Sequence, residues 1–332
     1  MKKVKRLLKY SVYYLVVLVF IGFNAALLDS LKYEKPVEEE IKPKIVLISH
    51  VYANPYWKQV RLGAEKAAKE RGVIVDFQGP ESASVEEGIK LIKMAYAARV
   101  SGIIAYVQDE TRYNDVINKV IEGGIPLVTV DSDAENSKRL AYVGTDNVEA
   151  GRVGGREVIR QIGTEGKVAV IMGGKSVKNQ IERVEGFKSY ISNNSSIVIA
   201  AIESSDSYLL EAELAARKIL TQHPDVKALF CTSALDGLGA AKAVKSLGLT
   251  GKVKIICFDD LPETLDNIEK GIITSTVVQQ PYVMGYKAVN IIMDNIEGKT
   301  TKGLFITDVL VVDKENLDEF RKQQQEYYNE NQ

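Results

Sequence analysis

From Lys44 to about Asp313 the chain alternates short apolar runs with longer stretches of helical periodicity, and no other feature constrains its fold as strongly. Short aliphatic runs without polar alternation are typical of parallel strands buried on both faces. The predicted strands are Ile45–Ser49, Val73–Phe77, Gly102–Tyr106, Pro126–Val130, Lys167–Met172, Ile197–Ile202, Ala228–Cys231 and Lys254–Phe258. The predicted helices are Tyr56–Arg71, Glu86–Arg99, Asn147–Ile162, Gln180–Ser192, Leu209–Gln222, Leu235–Leu247 and Tyr282–Glu297. This pattern predicts an α/β protein with open, doubly wound parallel sheets, and about 270 residues is large for one such sheet, so we expect two lobes.

Polar residues follow several of the predicted strands. In open parallel sheets, ligands bind beyond the carboxyl ends of the strands. Those ends read Ser49-His50, Asp131-Ser132, Gly173-Gly174, Thr232-Ser233 and Asp259-Asp260. Asp131 and Asp259 each follow an apolar strand directly, and a carboxylate there can accept two hydrogen bonds from the hydroxyls of a polyol. The alternative, equally open from the residues alone, is that either aspartate caps the following helix.

The charge balance and the scarcity of His and Cys exclude several classes of protein. Lys+Arg 43 against Asp+Glu 44 gives a formal net charge of -1, whereas nucleic-acid-binding proteins usually carry a basic excess. With 2 His and 2 Cys the chain cannot form a Cys-rich zinc module, a four-cysteine iron–sulfur cluster or a dense disulfide scaffold. We predict no nucleic-acid partner, no metal and no cofactor. Cys231 and Cys257 are interpreted as buried free thiols, with a disulfide between them as the alternative.

A basic cluster and an uncharged apolar run occupy the N-terminus. The cluster comprises Lys2, Lys3, Lys5, Arg6 and Lys9. The apolar run over residues 10–28 would span about 29 Å as a helix, close to the bilayer core of about 30 Å. Because basic flanks stay cytoplasmic, we expect a single-pass cell-membrane protein whose C-terminal domain is extracytoplasmic. A cleaved signal peptide is the alternative, although its apolar part is usually shorter and Asn24-Ala25-Ala26 matches a cleavage site poorly.

Several motifs recur in a fixed order along the rest of the chain. IVLISHVYANPYWKQVRLG (45–63) has a strand followed by a helix that starts Asn-Pro-aromatic-aromatic. The later motifs are AYVGTDNVEAGRVGG (141–155), IERVEGF (181–187), HPDVKALFCTS (223–233), ICFDDLPE (256–263) and VVQQPYVMGYKA (277–288). Over residues 44 to 313 the chain thereby resembles the type I periplasmic sugar-binding proteins of the ribose- and galactose-binding kind.

This resemblance implies a two-lobed domain. The expected fold is two doubly wound parallel-sheet lobes, joined by three hinge crossings and closing over a monosaccharide, with a transmembrane helix at the N-terminus. The expected division is residues 1–28 for the basic residues and signal anchor, 29–43 for a charged linker, 44–315 for the sugar-binding domain and 316–332 for a polar tail. Within the domain, the first lobe takes about 44–146 and 280–308, and the second about 147–279 and 309–315.

The resemblance also assigns the ligand-binding residues. They are Asn54, Tyr56, Trp57, Asp131, Ser132, Arg183, Ser233, Asp259 and Gln279. The chemistry of these residue types agrees, because aromatic faces stack on the apolar face of a sugar ring and charged side chains make directed hydrogen bonds to hydroxyls. Two alternatives remain open, namely Trp57 as a plain core aromatic and Arg183 as a surface ion-pair residue.

The chain departs from the ribose-binding pattern at several positions. Ser132 stands where ribose binders commonly have Arg, and Ser233 replaces a common Asn. The segment between Ser49 and Asn54 is one residue longer, so ribose itself is not favoured. His50 is interpreted as a buried strand-end histidine, with ligand contact as the alternative. An aromatic contact from the second lobe near Ser207-Tyr208 is also considered.

No catalytic residues are predicted. Gly174-Lys175-Ser176 lacks the first glycine of a P-loop, since Ala169 stands in its place. No nucleophile elbow accompanies His50 or His223, and Asp259-Asp260 are sequence neighbours whose carboxylates diverge. A sugar-processing enzyme on the same scaffold is therefore the weakest hypothesis.

The anchor favours one role among sugar receptors. A transmembrane segment with a linker of about 15 residues restrains the receptor near one membrane partner. The chain is in this respect similar to membrane-anchored xylose-binding sensor proteins that pair with LytS-type histidine kinases. That likeness implies a pentose ligand such as D-xylose and a histidine kinase sensor domain as partner. The alternative partner is the permease of an ABC sugar importer.

Overall fold

The computed structural model describes residues 2–32 and 42–331. The chain divides into an N-terminal unit up to Lys42 and a main unit from Pro43 onward. Residues 33–41, which make up most of the predicted linker, and Gln332 of the predicted tail lie outside the described residues.

The N-terminal unit is one long helix, α1 (Lys2–Lys32). Its stretch Lys3–Asp29 has a mean hydropathy of 2.1 over its most apolar window, and within the described residues it is the one helix long and apolar enough to cross a membrane. At 1.5 Å per residue its 27 residues measure about 40 Å, which exceeds the hydrocarbon thickness. A retained anchor and a cleaved signal sequence both satisfy this length and composition.

The main unit alternates strands and helices as the sequence predicts. Its first half contains β1 (Lys44–Ile48), α2 (Tyr56–Arg71), β2 (Ile74–Gln78), α3 (Val85–Ala97), β3 (Gly102–Ala105), α4 (Glu110–Glu122), β4 (Leu127–Val130) and β5 (Ala141–Thr145). It continues with α5 (Asn147–Ile162), β6 (Lys167–Met172), α6 (Lys178–Asn194), β7 (Val198–Ser204), α7 (Leu209–Gln222), β8 (Val226–Cys231) and α8 (Ala234–Ser246). It ends with β9 (Lys254–Phe258), α9 (Pro262–Glu269), β10 (Ser275–Val278), α10 (Pro281–Ile296), β11 (Gly303–Thr307), β12 (Leu310–Asp313) and α11 (Leu317–Asn331).

These strands form two six-stranded sheets. The first has the order β11-β5-β4-β3-β1-β2 and the second the order β12-β10-β9-β8-β6-β7. All described strand pairs are parallel except β10 with β12, which is antiparallel. The chain passes between the sheets three times, after β5, after β10 and between β11 and β12. This is the doubly wound, two-lobed fold with three crossings that the resemblance implies.

Helices cover both faces of each sheet. In the first lobe α2 and α10 pack on one face, and α3 and α4 on the other. In the second lobe α5 and α6 cover one face, and α7, α8 and α9 the other. Helices α5 and α6 approach so closely that a Cβ at Gly151 would overlap the carbonyl of Arg183, and one at Gly186 would overlap that of Val148. Glycine at these two positions therefore fixes where α6 lies, and α6 carries several residues of the cavity described below.

The two cysteines lie on neighbouring strands of the second sheet. Cys231 ends β8 and Cys257 is in β9, and both are buried and free. Their side chains belong to the apolar core between the sheet and α8. The prediction of two buried thiols is confirmed.

Candidate functional site

A cavity lies where the carboxyl ends of the two sheets face each other. It is lined by His50, Asn54, Tyr56, Trp57, Tyr106, Asp131, Val177, Asn179, Gln180, Arg183, Ser207, Ser233, Ala234, Leu235, Asp259 and Gln279. Eight of the nine residues assigned from the sequence are among them, and Ser132 is not.

The two lobes contribute one strand-end aspartate each, in the same unusual backbone conformation. Asp131 follows β4 with φ 66° and Asp259 follows β9 with φ 69°. Each backbone N–H donates to the neighbouring strand, Asp131 to the carbonyl of Val143 and Asp259 to that of Val277. Left-handed backbone is unfavourable for residues with a Cβ and tends to persist at functional sites. Neither aspartate caps the helix that follows it in the chain, because α9 begins after Leu261 and α5 after Asp146.

Both carboxylate oxygens of Asp131 are held in place. The hydroxyl of Tyr56 donates to Oδ1 at 2.8 Å, and the amide of Asn179 donates to Oδ2 at 3.0 Å. The Asn179 bond joins the two lobes, since Asn179 is on α6. Each oxygen keeps a further lone pair with which to accept a hydroxyl hydrogen bond.

Arg183 connects the cavity to the segments that cross between the lobes. Its guanidinium donates to Asn147 Oδ1 at 2.9 Å, to the carbonyl of Thr232 at 2.8 Å and to Gln279 Oε1 at 2.8 Å. The group also lies 4.3 Å from the ring centroid of Phe258. Arg183 is 2% exposed, so the alternative of a surface ion-pair residue is wrong. Three of its five N–H groups are occupied, which leaves two for a ligand.

Gln279 orients the second aspartate. Its Nε2 donates to Asp259 Oδ1 at 2.8 Å, while its Oε1 accepts from both Arg183 and Thr145. Because a carboxylate can only accept and a guanidinium can only donate, these partners fix which way the Gln279 amide faces.

Aromatic rings form one wall of the cavity. Trp57 makes edge contacts with Tyr56 and Tyr106 at centroid distances of 5.8 Å and 5.5 Å. The Tyr106 ring is tilted against His50 at 4.7 Å. Trp57 is 2% exposed and belongs to the core of the first lobe, yet it also lines the cavity, so the core and ligand-facing interpretations both describe it.

The two serines assigned from the sequence behave differently. Ser233 lines the cavity as the N-cap of α8, and its hydroxyl donates to the buried Asp236 carboxylate at 2.7 Å. Ser132 is 1% exposed and lies outside the cavity. The N–H of Ser132 donates to the carbonyl of Val130 at 2.7 Å, which closes a three-residue turn around Asp131. The turn presents Asp131 to the cavity and leaves Ser132 outside its wall, so a ligand contact by Ser132 stays a prediction.

Burial dominates the electrostatics of the site. It raises the pKa of Asp131 to about 6, although the Arg183 guanidinium opposes this shift. Burial also raises the pKa of Asp259, again against the nearby Arg183. Asp131 and Asp259 lie on either side of one guanidinium, an arrangement that suits a neutral ligand rich in hydroxyl groups.

Eight lining residues escaped the sequence assignment of the site, and five of them have polar or aromatic side chains: His50, Tyr106, Asn179, Gln180 and Ser207. Tyr106 directly follows β3, so the strand-end rule could have found it. Asn179 and Gln180 precede Arg183 by one helical turn, which places the three side chains near one another. Ser207 lines the cavity whereas Tyr208 is 49% exposed and does not, so the aromatic contact considered there is absent from this cavity.

Among residues 2–32 and 42–331, no group of three or more His, Cys, Asp or Glu side chains is arranged to hold a metal ion. The cavity offers directed hydrogen-bond partners on two lobes and a flat aromatic surface. It can therefore enclose and orient a small polyol.

Two facing doubly wound lobes with a polar cavity between them define a ligand-binding protein that closes on its ligand. A family model described as the periplasmic binding protein domain matches residues 45–300. The chain belongs to the periplasmic binding protein family.

Individual relatives and solved structures show which binding proteins the chain is similar to. The D-allose-binding periplasmic protein of Escherichia coli (strain K12) is 30% identical over 73% of this chain and 81% of its own length. The structure of a XylFII–LytSN complex matches with 59% identity and a TM-score of 0.80, over 83% of this chain and 99% of that one. GanP, a glucose-galactose binding protein from Geobacillus stearothermophilus, matches with 41% identity and a TM-score of 0.80 over the same shares.

Proposed function

We propose that the chain is a membrane-anchored extracytoplasmic receptor that binds a monosaccharide between its lobes and signals their closure to a membrane histidine kinase. The observation that carries the proposal is the cavity itself, in which Asp131 from one lobe and Arg183 and Asp259 from the other face an aromatic wall. A ligand that contacts both lobes binds the closed arrangement more tightly than the open one, and so shifts the population toward it.

In this proposal the residues have distinct roles. Asp131, Asp259 and Arg183 form hydrogen bonds to sugar hydroxyls, and Tyr56 and Trp57 present their rings to the sugar. Asn54 and Ser233 border the ligand, while Gln279 orients Arg183 and Asp259. The first lobe comprises residues 44–146 and 280–308, and the second 147–279 and 309–315. The chain binds and releases its ligand without chemical turnover.

The likeness to XylFII supports the choice of ligand and partner. At 59% identity over nearly the whole of that chain, the similarity extends to a protein solved together with LytSN. We therefore propose a pentose, D-xylose first, as the ligand, and the extracytoplasmic sensor domain of a LytS-type kinase as the partner. We also propose that α1 is a retained single-pass anchor with residues 1–9 on the cytoplasmic side, where its basic flank would place them.

Calorimetry on the full-length chain in detergent tests the ligand assignment, with D-xylose and a panel of other pentoses and hexoses. Asp131→Ala should raise the Kd about thirtyfold, because truncation leaves buried polar partners unpaired. The control Asp225→Ala, at a carboxylate paired with Lys167 on the surface, should not change it. No binding by the wild-type chain, or equal affinity of Asp131→Ala and wild type, would contradict the assignment.

A substrate-binding role in sugar import is the second candidate. It is favoured by the 28% identity to the ribose import binding protein RbsB of Bacillus subtilis (strain 168) over 79% of that protein. Co-purification separates the two roles, since a sensor predicts that D-xylose changes the yield of the kinase sensor domain captured with the chain. The same yield with and without sugar would favour import. A carbonate wash of membranes tests the anchor, which predicts that the chain stays in the pellet.

A further inference from the structure

We propose that His50 and Asn179, one from each lobe, read the configuration of the sugar hydroxyls and so set which monosaccharide is preferred. This inference rests on the proposed function, because it assigns two further contacts to the same sugar site. Neither residue belongs to the set assigned from the sequence, and both line the cavity.

His50 presents a buried nitrogen without a partner. The residue follows β1 and is 8% exposed, and its Nε2 has no hydrogen-bond partner within the described part of the chain. Buried polar atoms are almost always paired, so an exception in a cavity wall points to a partner supplied by the ligand. The contact with the Tyr106 ring at 4.7 Å fixes the plane of the imidazole.

Asn179 presents a buried oxygen in the same condition. It is 2% exposed, and its Oδ1 has no hydrogen-bond partner among the described residues. The orientation of its amide is set by Asp131, because the carboxylate can accept only from Nδ2. Oδ1 is therefore an acceptor of fixed position on the second lobe.

The charge state of His50 and Asn179 explains why these residues discriminate between sugars and do not merely add affinity for any sugar. Burial lowers the pKa of His50 to about 4, so the imidazole is neutral at physiological pH and has one donor and one acceptor nitrogen. The charged groups Asp131, Arg183 and Asp259 can bind many arrangements of hydroxyls. A neutral hydrogen-bonding group contributes little binding free energy unless a hydroxyl meets it with nearly linear geometry. A site built for a hydroxyl at one position rejects ligands that lack a hydroxyl there.

The test compares D-xylose with its epimers D-lyxose, D-ribose and L-arabinose by calorimetry on the full-length chain in detergent. His50→Phe keeps the ring contact with Tyr106 and removes both nitrogens. Asn179→Leu keeps the approximate volume and removes the amide. Each variant should weaken binding of the preferred pentose about tenfold and reduce its preference over at least one epimer about fivefold.

Two matched controls use the same substitutions elsewhere. His223→Phe changes the other histidine, at the end of α7, and Asn114→Leu changes an amide in α4 whose Oδ1 is also buried without a described partner but lies outside the cavity. Neither control should change the order of preference among the four pentoses. Because removing Asn179 also removes a donor to Asp131, Tyr56→Phe, which removes the other donor, shows how much of the loss passes through Asp131.

A conservative variant separates hydrogen bonding from packing. His50→Gln places an amide nitrogen near the position of Nε2, and it should recover most of the affinity and preference lost in His50→Phe. An equal loss for all four pentoses in His50→Phe and Asn179→Leu, or wild-type affinity in both, overturns the inference while leaving the receptor function intact. Failure of the wild-type chain to bind any pentose or hexose instead overturns the proposed function.

Discussion

An ion pair crosses the mouth of the cleft and should contribute measurably to lobe closure. Lys178, at the start of α6 in the second lobe, lies 2.8 Å from Glu110 Oε2, at the start of α4 in the first. The backbone and side-chain nitrogens of Asn136 donate to Glu110 Oε1 at 2.8 Å and 2.9 Å. Burial alone would raise the pKa of Glu110, but Lys178 and Asn136 together lower it. The attraction is therefore present at neutral pH and is lost only as the pH falls through this lowered pKa.

The magnitude follows from the exposure of the two side chains. Lys178 and Glu110 are 20% and 18% exposed, between a surface pair, which contributes about 0–1 kcal/mol, and a buried pair, whose disruption costs about 3–5 kcal/mol. Lys178→Met keeps approximately the length of the side chain and removes its charge, while Asn136 still donates hydrogen bonds to Glu110. We expect a loss of about 1 kcal/mol from the closed state, which corresponds to about fivefold in the closing equilibrium.

Ligand affinity reports this loss, because the apparent Kd scales inversely with the closed fraction when the open state dominates. Calorimetry should show an apparent Kd for D-xylose about fivefold higher in Lys178→Met, and small-angle scattering a larger radius of gyration without sugar. The matched control is Lys138→Met, which breaks an ion pair within one lobe. In that pair Lys138 Nζ lies 2.6 Å from Glu122 Oε1, and the two side chains are 59% and 60% exposed. An unchanged Kd in Lys178→Met, or an equal change in the control, would refute the reasoning.

Two further predictions follow from packing and from titration. Gly151→Ala should lower the melting temperature by about 5 °C or more and weaken sugar binding, because the added Cβ would overlap the carbonyl of Arg183. The control Gly155→Ala on the same helix should be milder, because its Cβ would lie 3.1 Å from the nearest side-chain atom. Equal melting temperatures of the two variants would count against the close packing. For Asp131, whose pKa burial raises to about 6, a hydroxyl donor favours the ionised form, so sugar binding should release protons near pH 6 and weaken as the pH falls below it. Calorimetry in two buffers of different ionisation enthalpy measures this release, which Asp131→Asn should largely remove; proton uptake would have the wrong sign.

Long amphipathic helices were predictable because neighbouring residues in the sequence mark both of their ends. Helix α2 ends before Gly72 in the left-handed conformation and α5 before Gly163, and the observed bounds of both helices equal the predicted ones. The strands β5, β10, β11 and β12 were not predicted, and of these β11 and β12 are edge strands. In β11, Leu304 is 62% exposed and Ile306 46% exposed, so this strand lacks the burial that gives an interior strand its apolar pattern. This strand exists through pairing with β5, about 160 residues earlier in the chain, which a local pattern cannot show.

The same contrast explains the site. Asp131 and Asp259 were predictable because a single carboxylate directly after an apolar strand is a local signal. The position of Ser132 outside the cavity was not predictable, because the turn around Asp131 is a backbone feature that the residue type does not encode. His50 and Asn179 could be assigned only from the partners that their buried atoms lack, and that is visible only once the two lobes face each other.

The geometry of the two aspartates explains how a sugar can control the angle between the lobes. The N–H of Asp131 is bound to β5 and that of Asp259 to β10, and these are the strands that lead into the first two crossings between the lobes. Gln279 joins those crossings, since its Oε1 accepts from Thr145 at 2.9 Å and from Arg183. A hydroxyl that binds either carboxylate is therefore separated from backbone that is hydrogen-bonded to a hinge segment only by the short aspartate side chain. We therefore expect small displacements at the ligand to be converted into rigid-body rotation of packed lobes, and rotation of a whole lobe is a change that a membrane partner can detect.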